Sequence, residues 1–117
     1  MDESQFKTLR ELAKDGTLSQ RDLSKRMGLS LGRVNYLVNA LIGKGYIKAQ
    51  RFKNSRNKIG YMYIMTHKGV SEKVTQTYNF LHRKLAEFDR LKKEIEALRQ
   101  ENHEDQRKEL RNQGGLQ

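Results

Sequence analysis

Cysteine is absent from all 117 residues. That excludes a disulfide framework, a thiolate metal site and a cysteine nucleophile, and it fits a reducing compartment without requiring one. Long apolar runs are missing too: nothing approaches the roughly 18 residues that a membrane span needs. The opening MDESQFKTLR is acidic and polar rather than basic and then apolar, unlike a signal peptide. A cytoplasmic chain with no membrane partner is expected. His67, His82 and His103 lie far apart with no carboxylate or thiolate cluster, so neither metal nor cofactor is expected. There is no glycine-rich phosphate loop. Ser-x-x-Lys occurs at residues 4–7 and 55–58, as chance supplies in a lysine-rich chain. Neither copy sets a serine on a helix beside a second base. No catalytic residue emerges, and the chain reads as a non-enzyme.

The most telling absence is of one sign of charge. Apolar residues make up 35% of the chain and charged residues 32%, with a formal net charge of +10. This suits one domain with an extension and no large core. Between residues 23 and 71 there is no Asp or Glu, although Lys25, Arg26, Arg33, Lys44, Lys48, Arg51, Lys53, Arg56, Lys58 and Lys68 all fall there. From Glu72 onward the signs mix, as solvated faces do. A one-signed field over a compact segment is what a polyanion requires. Nucleic acid is the first candidate, and an anionic membrane surface ranks well behind it.

Periodicity supplies the fold. Phe6, Leu9, Leu12 and Ala13 recur at helical spacing and predict a first helix over 2–15, closed by Asp15-Gly16. Thr17-Leu18 reads as a short extended strand. Ser19 caps a second helix, with Asp22 completing a box-like start and Leu23 and Met27 facing inward. In the turn Gly28-Leu29-Ser30, glycine supplies a left-handed position and Leu29 plugs the corner. Ser30 caps a third helix running to about Lys44, striped by Val34, Leu37, Val38 and Leu41. Arg33 stands where a full capping box would place glutamate, and a carboxylate there would repel phosphate. Strands over 47–52 and 59–65 flank a basic loop at 53–58, with Tyr61, Tyr63 and Met65 on one face. The expected class is mostly α with a small β-hairpin: a winged helix-turn-helix DNA-binding domain over 1–66.

One long helix then follows, a dimerisation element over 67–111 capped by Thr66, with 112–117 as a flexible tail. Val74, Tyr78, Leu81, Leu85, Phe88, Leu91, Ile95, Leu98 and Asn102 are separated by gaps of 4, 3, 4, 3, 3, 4, 3 and 4. That is heptad spacing with one stammer between Leu85 and Leu91. Packing against the head would also give such a stripe, but beyond about Phe88 the head is too small to cover it. The same helix of a second copy is the simplest partner, giving a homodimer. Asn102 in the seam would fix register; facing solvent, it carries no meaning.

In a helix-turn-helix the third helix presents its N-terminal half to the DNA major groove. The outward set is then Leu31, Gly32, Arg33, Asn35, Tyr36, Asn39 and Ala40. Arg33 can fork onto guanine or grip phosphate, and Asn35 and Asn39 can each read adenine bidentately. Tyr36 can stack on a sugar or donate to phosphate. Gly32 lets the backbone come close, and the helix N-terminus with Ser30 is itself an anion site. Ordinary polar surface explains any one of these residues equally well; as a set on one face of an acid-free helix they point to DNA. Lys53, Asn54, Ser55, Arg56, Asn57 and Lys58 form the wing, and Arg56 is placed to enter a narrow minor groove.

The segments GLSLGRVNYLVNALIGKGYIK, FKNSRNKIGYMYIMTHKG and FLHRKLAEFDRLKKEIEALRQE resemble the small MarR-type winged-helix regulators associated with bacterial exopolysaccharide gene clusters. SLGRVNYL and KNSRNK carry the likeness most specifically, and it extends from about residue 18 to 101. The resemblance implies a bacterial source, a transcriptional role, a link to exopolysaccharide or capsule genes, and a homodimer. Ordinary MarR proteins carry an extra N-terminal helix that helps build an effector pocket. Here the first helix begins within five residues of the start, which leaves a small-molecule effector doubtful and puts dimerisation on the long C-terminal helix. The rival expectation is a winged-helix protein-interaction adaptor contacting the transcription machinery, which fold alone does not separate from a DNA reader. Single-stranded RNA fits less well, because the wing lacks aromatics interleaved with its basic residues.

Overall fold

The computed structural model describes residues 1–53 and 59–115. They divide into a first compact unit, Met1–Tyr78, and a second that begins at Asn79. The element order is α1 (Glu3–Lys14), α2 (Gln20–Met27), α3 (Leu31–Gly43), β1 (Ile47–Lys53), β2 (Ile59–Met65) and α4 (His67–Gly115).

Each helix of the head starts on a side-chain cap. The Asp2 carboxylate accepts from the Gln5 N–H at 2.7 Å and opens α1. At α2 the Ser19 hydroxyl accepts from the Asp22 N–H and the Asp22 carboxylate accepts from the Ser19 N–H, both at 3.1 Å. The reciprocal box expected there is thus present, and it satisfies two orphan donors of the first turn. Ser30 accepts from the Arg33 N–H at 3.1 Å and opens α3. Bonds from Thr17 hold the Asp15 carboxyl below the usual range, and bonds from Ser19 do the same for Asp22. Both shifts are downward on folding. The stabilisation they give is therefore present above the ordinary carboxylate pKa and is lost as pH falls through the lowered ones.

The link between α1 and α2 departs from expectation. Thr17-Leu18 is not a strand; the preceding residue, Gly16, accepts through its carbonyl from the Tyr63 N–H at 2.8 Å. Between α2 and α3, Gly28 adopts φ 65°. That left-handed conformation is cheap only for a residue without Cβ, and it sends Leu29 down against the core.

Leu9 and Leu12 from α1, Leu18, Leu23 from α2, Val34, Val38 and Leu41 from α3, and Ile47 from β1 form the buried cluster. Each such side chain contributes about 2 kcal/mol relative to exposure. Leu37 is fully buried as well, so the whole predicted stripe of α3 faces inward. In α1, Ala13 is exposed, while the polar Gln5 and Thr8 are buried on the inner face. Both are satisfied: Lys44 Nζ donates to Gln5 Oε1 at 2.7 Å, and the Thr8 hydroxyl donates to the Ser4 carbonyl at 2.8 Å.

The hairpin pairs Ile47 with Met65, Ala49 with Tyr63, Arg51 with Tyr61 and Lys53 with Ile59. Tyr63 and Met65 pack on the core. Tyr61, on the same face, is 58% exposed because the core does not extend that far along the hairpin. Thr66 then caps α4 by accepting from the Gly69 N–H at 3.0 Å, and its own N–H donates to the Tyr46 carbonyl. A methyl at Gly69 would overlap that carbonyl, which explains glycine inside a helical turn.

The helix continues to Gly115, past the boundary expected at residue 111, so residues 112–115 are helical rather than tail. Val74, Leu81, Leu85, Phe88, Leu91, Ile95 and Leu98 are between 42% and 66% exposed in the single chain. No helix among the described residues is long and apolar enough to cross a membrane. The architecture is a winged helix-turn-helix followed by a long helix.

Candidate nucleic-acid interface

Burial of Val34, Leu37, Val38 and Leu41 leaves the other face of α3 to solvent, and every residue proposed to read DNA there lies on it. Ser30, Gly32, Arg33, Asn35, Tyr36 and Asn39 are all exposed. The Arg33 guanidinium carbon sits 5.2 Å from the centre of the Tyr36 ring. This stacking holds a long, flexible cation near one orientation and costs it little solvation.

Gly32 is the least expected residue of the set. A Cβ built there meets nothing within 4 Å, so the protein's own packing does not demand a glycine. Alanine would favour the helix by about 1 kcal/mol. The missing side chain leaves open space on the outer face of α3. Gly32→Ala should therefore raise the urea midpoint slightly while weakening DNA binding several-fold. A variant that is stabilised and binds as well as the parent would remove Gly32 from the interface.

The structure adds a residue that sequence reasoning passed over. Asn39 Nδ2 donates to Asn35 Oδ1 at 3.1 Å, Asn35 Nδ2 donates to Gln20 Oε1 at 3.2 Å, and Gln20 Nε2 lies 3.4 Å from the Tyr63 hydroxyl. A chain of amides thus crosses from the outer face of α3 to the first residue of α2 and on to β2. It restricts the rotamers of Asn35 and Asn39, the two side chains suited to reading adenine. Gln20 carries no charge and breaks no apolar pattern, so only the approach of α2 to α3 reveals it.

Electrostatics agrees with the acid-free stretch. Among its described cations, Arg26 has a carboxylate at ion-pair distance, Glu11 at 3.5 Å. Lys25, Arg33, Lys48, Arg51 and Lys53 are exposed and have none. Lys44 is tied to Gln5, and Lys68 lies over the Tyr46 ring. Uncompensated positive charge therefore spreads over α2, α3 and β1. Among the described residues no group of three or more His, Asp or Glu is placed to hold a metal.

Of the wing residues, Lys53 ends β1 and is exposed. No hydrogen bond or ion pair among the described residues links it to the α3 set. Asn54, Ser55, Arg56, Asn57 and Lys58 lie outside the described residues.

Residues 1–48 match the family model for winged helix-turn-helix DNA-binding domains. Three solved structures are similar in fold. One is a mutant MarR from E. coli complexed with operator DNA, with TM-score 0.53 and 23% identity, covering 64% of this chain and 52% of that one. A MarR protein from Peptoclostridium difficile gives TM-score 0.64 at 17% identity, over 75% of this chain and 56% of that one. FabT from Streptococcus pneumoniae in complex with DNA gives TM-score 0.54 at 22% identity, over 74% and 58%. The chain thus spans little more than half the length of these neighbours. No curated protein matches it by sequence.

Proposed function

We propose that the chain is a sequence-specific double-stranded DNA-binding transcriptional regulator of MarR type, acting as a homodimer. The observation that carries this is the outer face of α3: Arg33, Asn35, Tyr36 and Asn39 exposed together on a helix braced by α1 and α2, with no carboxylate on it. In this reading α3 enters the major groove with its N-terminal half, and the hairpin with Lys53 and Arg56 meets the neighbouring backbone and minor groove. Two structural neighbours were solved with DNA bound, which supports the same use of the fold here. The resemblance of the SLGRVNYL and KNSRNK segments directs the choice of target to exopolysaccharide or capsule genes. Dimerisation is assigned to the α4 seam from Val74 to Asn102, which a second copy would cover.

The test is selection of bound duplexes from a random library, followed by gel shifts across salt concentrations. A pseudo-palindrome with half-sites about 10 base pairs apart, or a multiple, is expected. If each protomer neutralises about five phosphates, log affinity should fall with log salt at a slope near −4 to −5 per half-site. Asn35→Ala should relax the preference at one base position by about tenfold, since a bidentate contact discriminates by about 1–3 kcal/mol. Equal affinity for every duplex, unchanged in Asn35→Ala, would refute the reading.

A further inference from the structure

The seam of α4 leaves open which way a second copy lies, and the flanking charges decide it. From Phe88 to Asn102 the heptad is regular, with Phe88, Ile95 and Asn102 at a and Leu91 and Leu98 at d, and it ends where Asp105 takes the next d position. The g positions are then Glu87, Glu94 and Glu101, and the e positions are Lys92, Arg99 and Gln106. Every g residue is an acid and no e residue is.

The spacing from each g to the next e is five residues, which does not pair side chains on one helix, where neighbours are three or four apart. It is the spacing that joins two helices running the same way, g of one to the following e of the other. Side by side and antiparallel, g would face g and e would face e, setting Glu87, Glu94 and Glu101 against acids and Lys92 and Arg99 against cations. In the single chain, Lys92, Glu94, Arg99 and Glu101 are exposed and none has an ion-pair partner among the described residues, whereas Glu87 pairs with Lys84 at 3.2 Å on the exposed surface and exchanges that contact for Lys92 of the second copy. The Lys92 ammonium lies 5.5 Å from the centre of the Phe88 ring, so its stem already borders the seam.

The seam residues agree. A β-branched residue at a with leucine at d favours two parallel strands, and Ile95 sits between Leu91 and Leu98 in that pattern. Asn102 at a meets its own counterpart across a parallel axis, amide to amide. In an antiparallel pair it would face an apolar d residue and lose that partner.

Resting on the proposed dimeric regulator, we infer that α4 pairs with a second copy of itself as a parallel, in-register, two-stranded coiled coil over 88–102. Glu87 and Glu94 of each chain reach Lys92 and Arg99 of the other. The two helices then run the same way, related by a two-fold axis along the coil.

The test uses the full chain, whose lack of cysteine makes single-cysteine variants unambiguous. Asn102→Cys should give a covalent dimer under mild oxidation, because equivalent a positions approach closely enough for a disulfide in a parallel pair alone. Sedimentation should show the E87K/E94K variant dimerising about tenfold or more weaker than the parent, since four attractive contacts become repulsive. The E87K/K92E/E94K/R99E variant should recover to within about threefold, because the swapped pairs attract again only when g faces e. A dimer that cross-links only when Leu91→Cys and Asn102→Cys chains are mixed is antiparallel, with a facing d, and overturns the inference, leaving the regulator standing. A chain that stays monomeric at tens of micromolar overturns both the inference and the dimer. An intact cross-link without sequence-selective DNA binding upholds the coil and counts against the proposed function alone.

Discussion

Arg33→Glu is expected to reduce affinity for the selected duplex on the order of a hundredfold or more while leaving the fold intact or more stable. Arg33 is exposed and stacked on Tyr36, with no carboxylate at ion-pair distance among the described residues. It is also the third residue of α3, whose cap is the Ser30 hydroxyl. Glutamate at that position can reach back to the cap backbone and complete the box that α2 already has at Ser19 and Asp22. Local stability therefore favours the acid. In the proposed complex the same change would remove a contact of about 1–3 kcal/mol and set a negative charge against phosphate. Fluorescence anisotropy at fixed salt, alongside a thermal melt, separates the two effects. A variant that melts no lower and binds no worse would take Arg33 out of the interface. Arg33→Lys resolves the contact further: a grip on phosphate survives it largely, whereas a fork onto guanine does not.

The features legible beforehand are those that a short window of chain determines. The Ser19–Asp22 box, the Ser30 cap, the left-handed Gly28 and the inward stripe of α3 each depend on residues within one or two turns. What escaped depends on elements meeting. Gln5 and Thr8 share the inner face of α1 with Phe6, Leu9 and Leu12, but a stripe traced through apolar residues passes over polar ones that bond within the fold. Ala13 looked like part of that stripe and is exposed, because a small apolar residue loses little on either side. Thr17-Leu18 read as extended, yet the bond that ties this link to β2 is made by the Gly16 carbonyl. Gln20 contacts Asn35 fifteen positions away, across the α2–α3 approach. The exposed face of α3 was thus visible in the sequence, and the amide chain that crosses it was not.

Leu41→Ala should lower unfolding stability by about 3 kcal/mol, the middle of the range for emptying a leucine site in a packed core. Leu41 is fully buried and belongs to the cluster that joins α1, α2, α3 and β1. Its carbonyl accepts the Tyr46 N–H at 3.0 Å, so a shift there also disturbs the entry into β1. Small domains have about 5–15 kcal/mol in total, so the variant would be folded but marginal. Nothing on the outer face of α3 changes, so each folded molecule should bind DNA as the parent does. Selected duplex at a hundred times its dissociation constant should then restore about 2.7 kcal/mol by mass action. Urea unfolding with and without the duplex reads both quantities. Arg33→Glu should show the opposite signature, a normal midpoint that the duplex does not move. If the duplex fails to raise the Leu41→Ala midpoint although the parent binds it, the inner and outer faces of α3 are coupled, and the helix is more than a rigid mount for its exposed side chains.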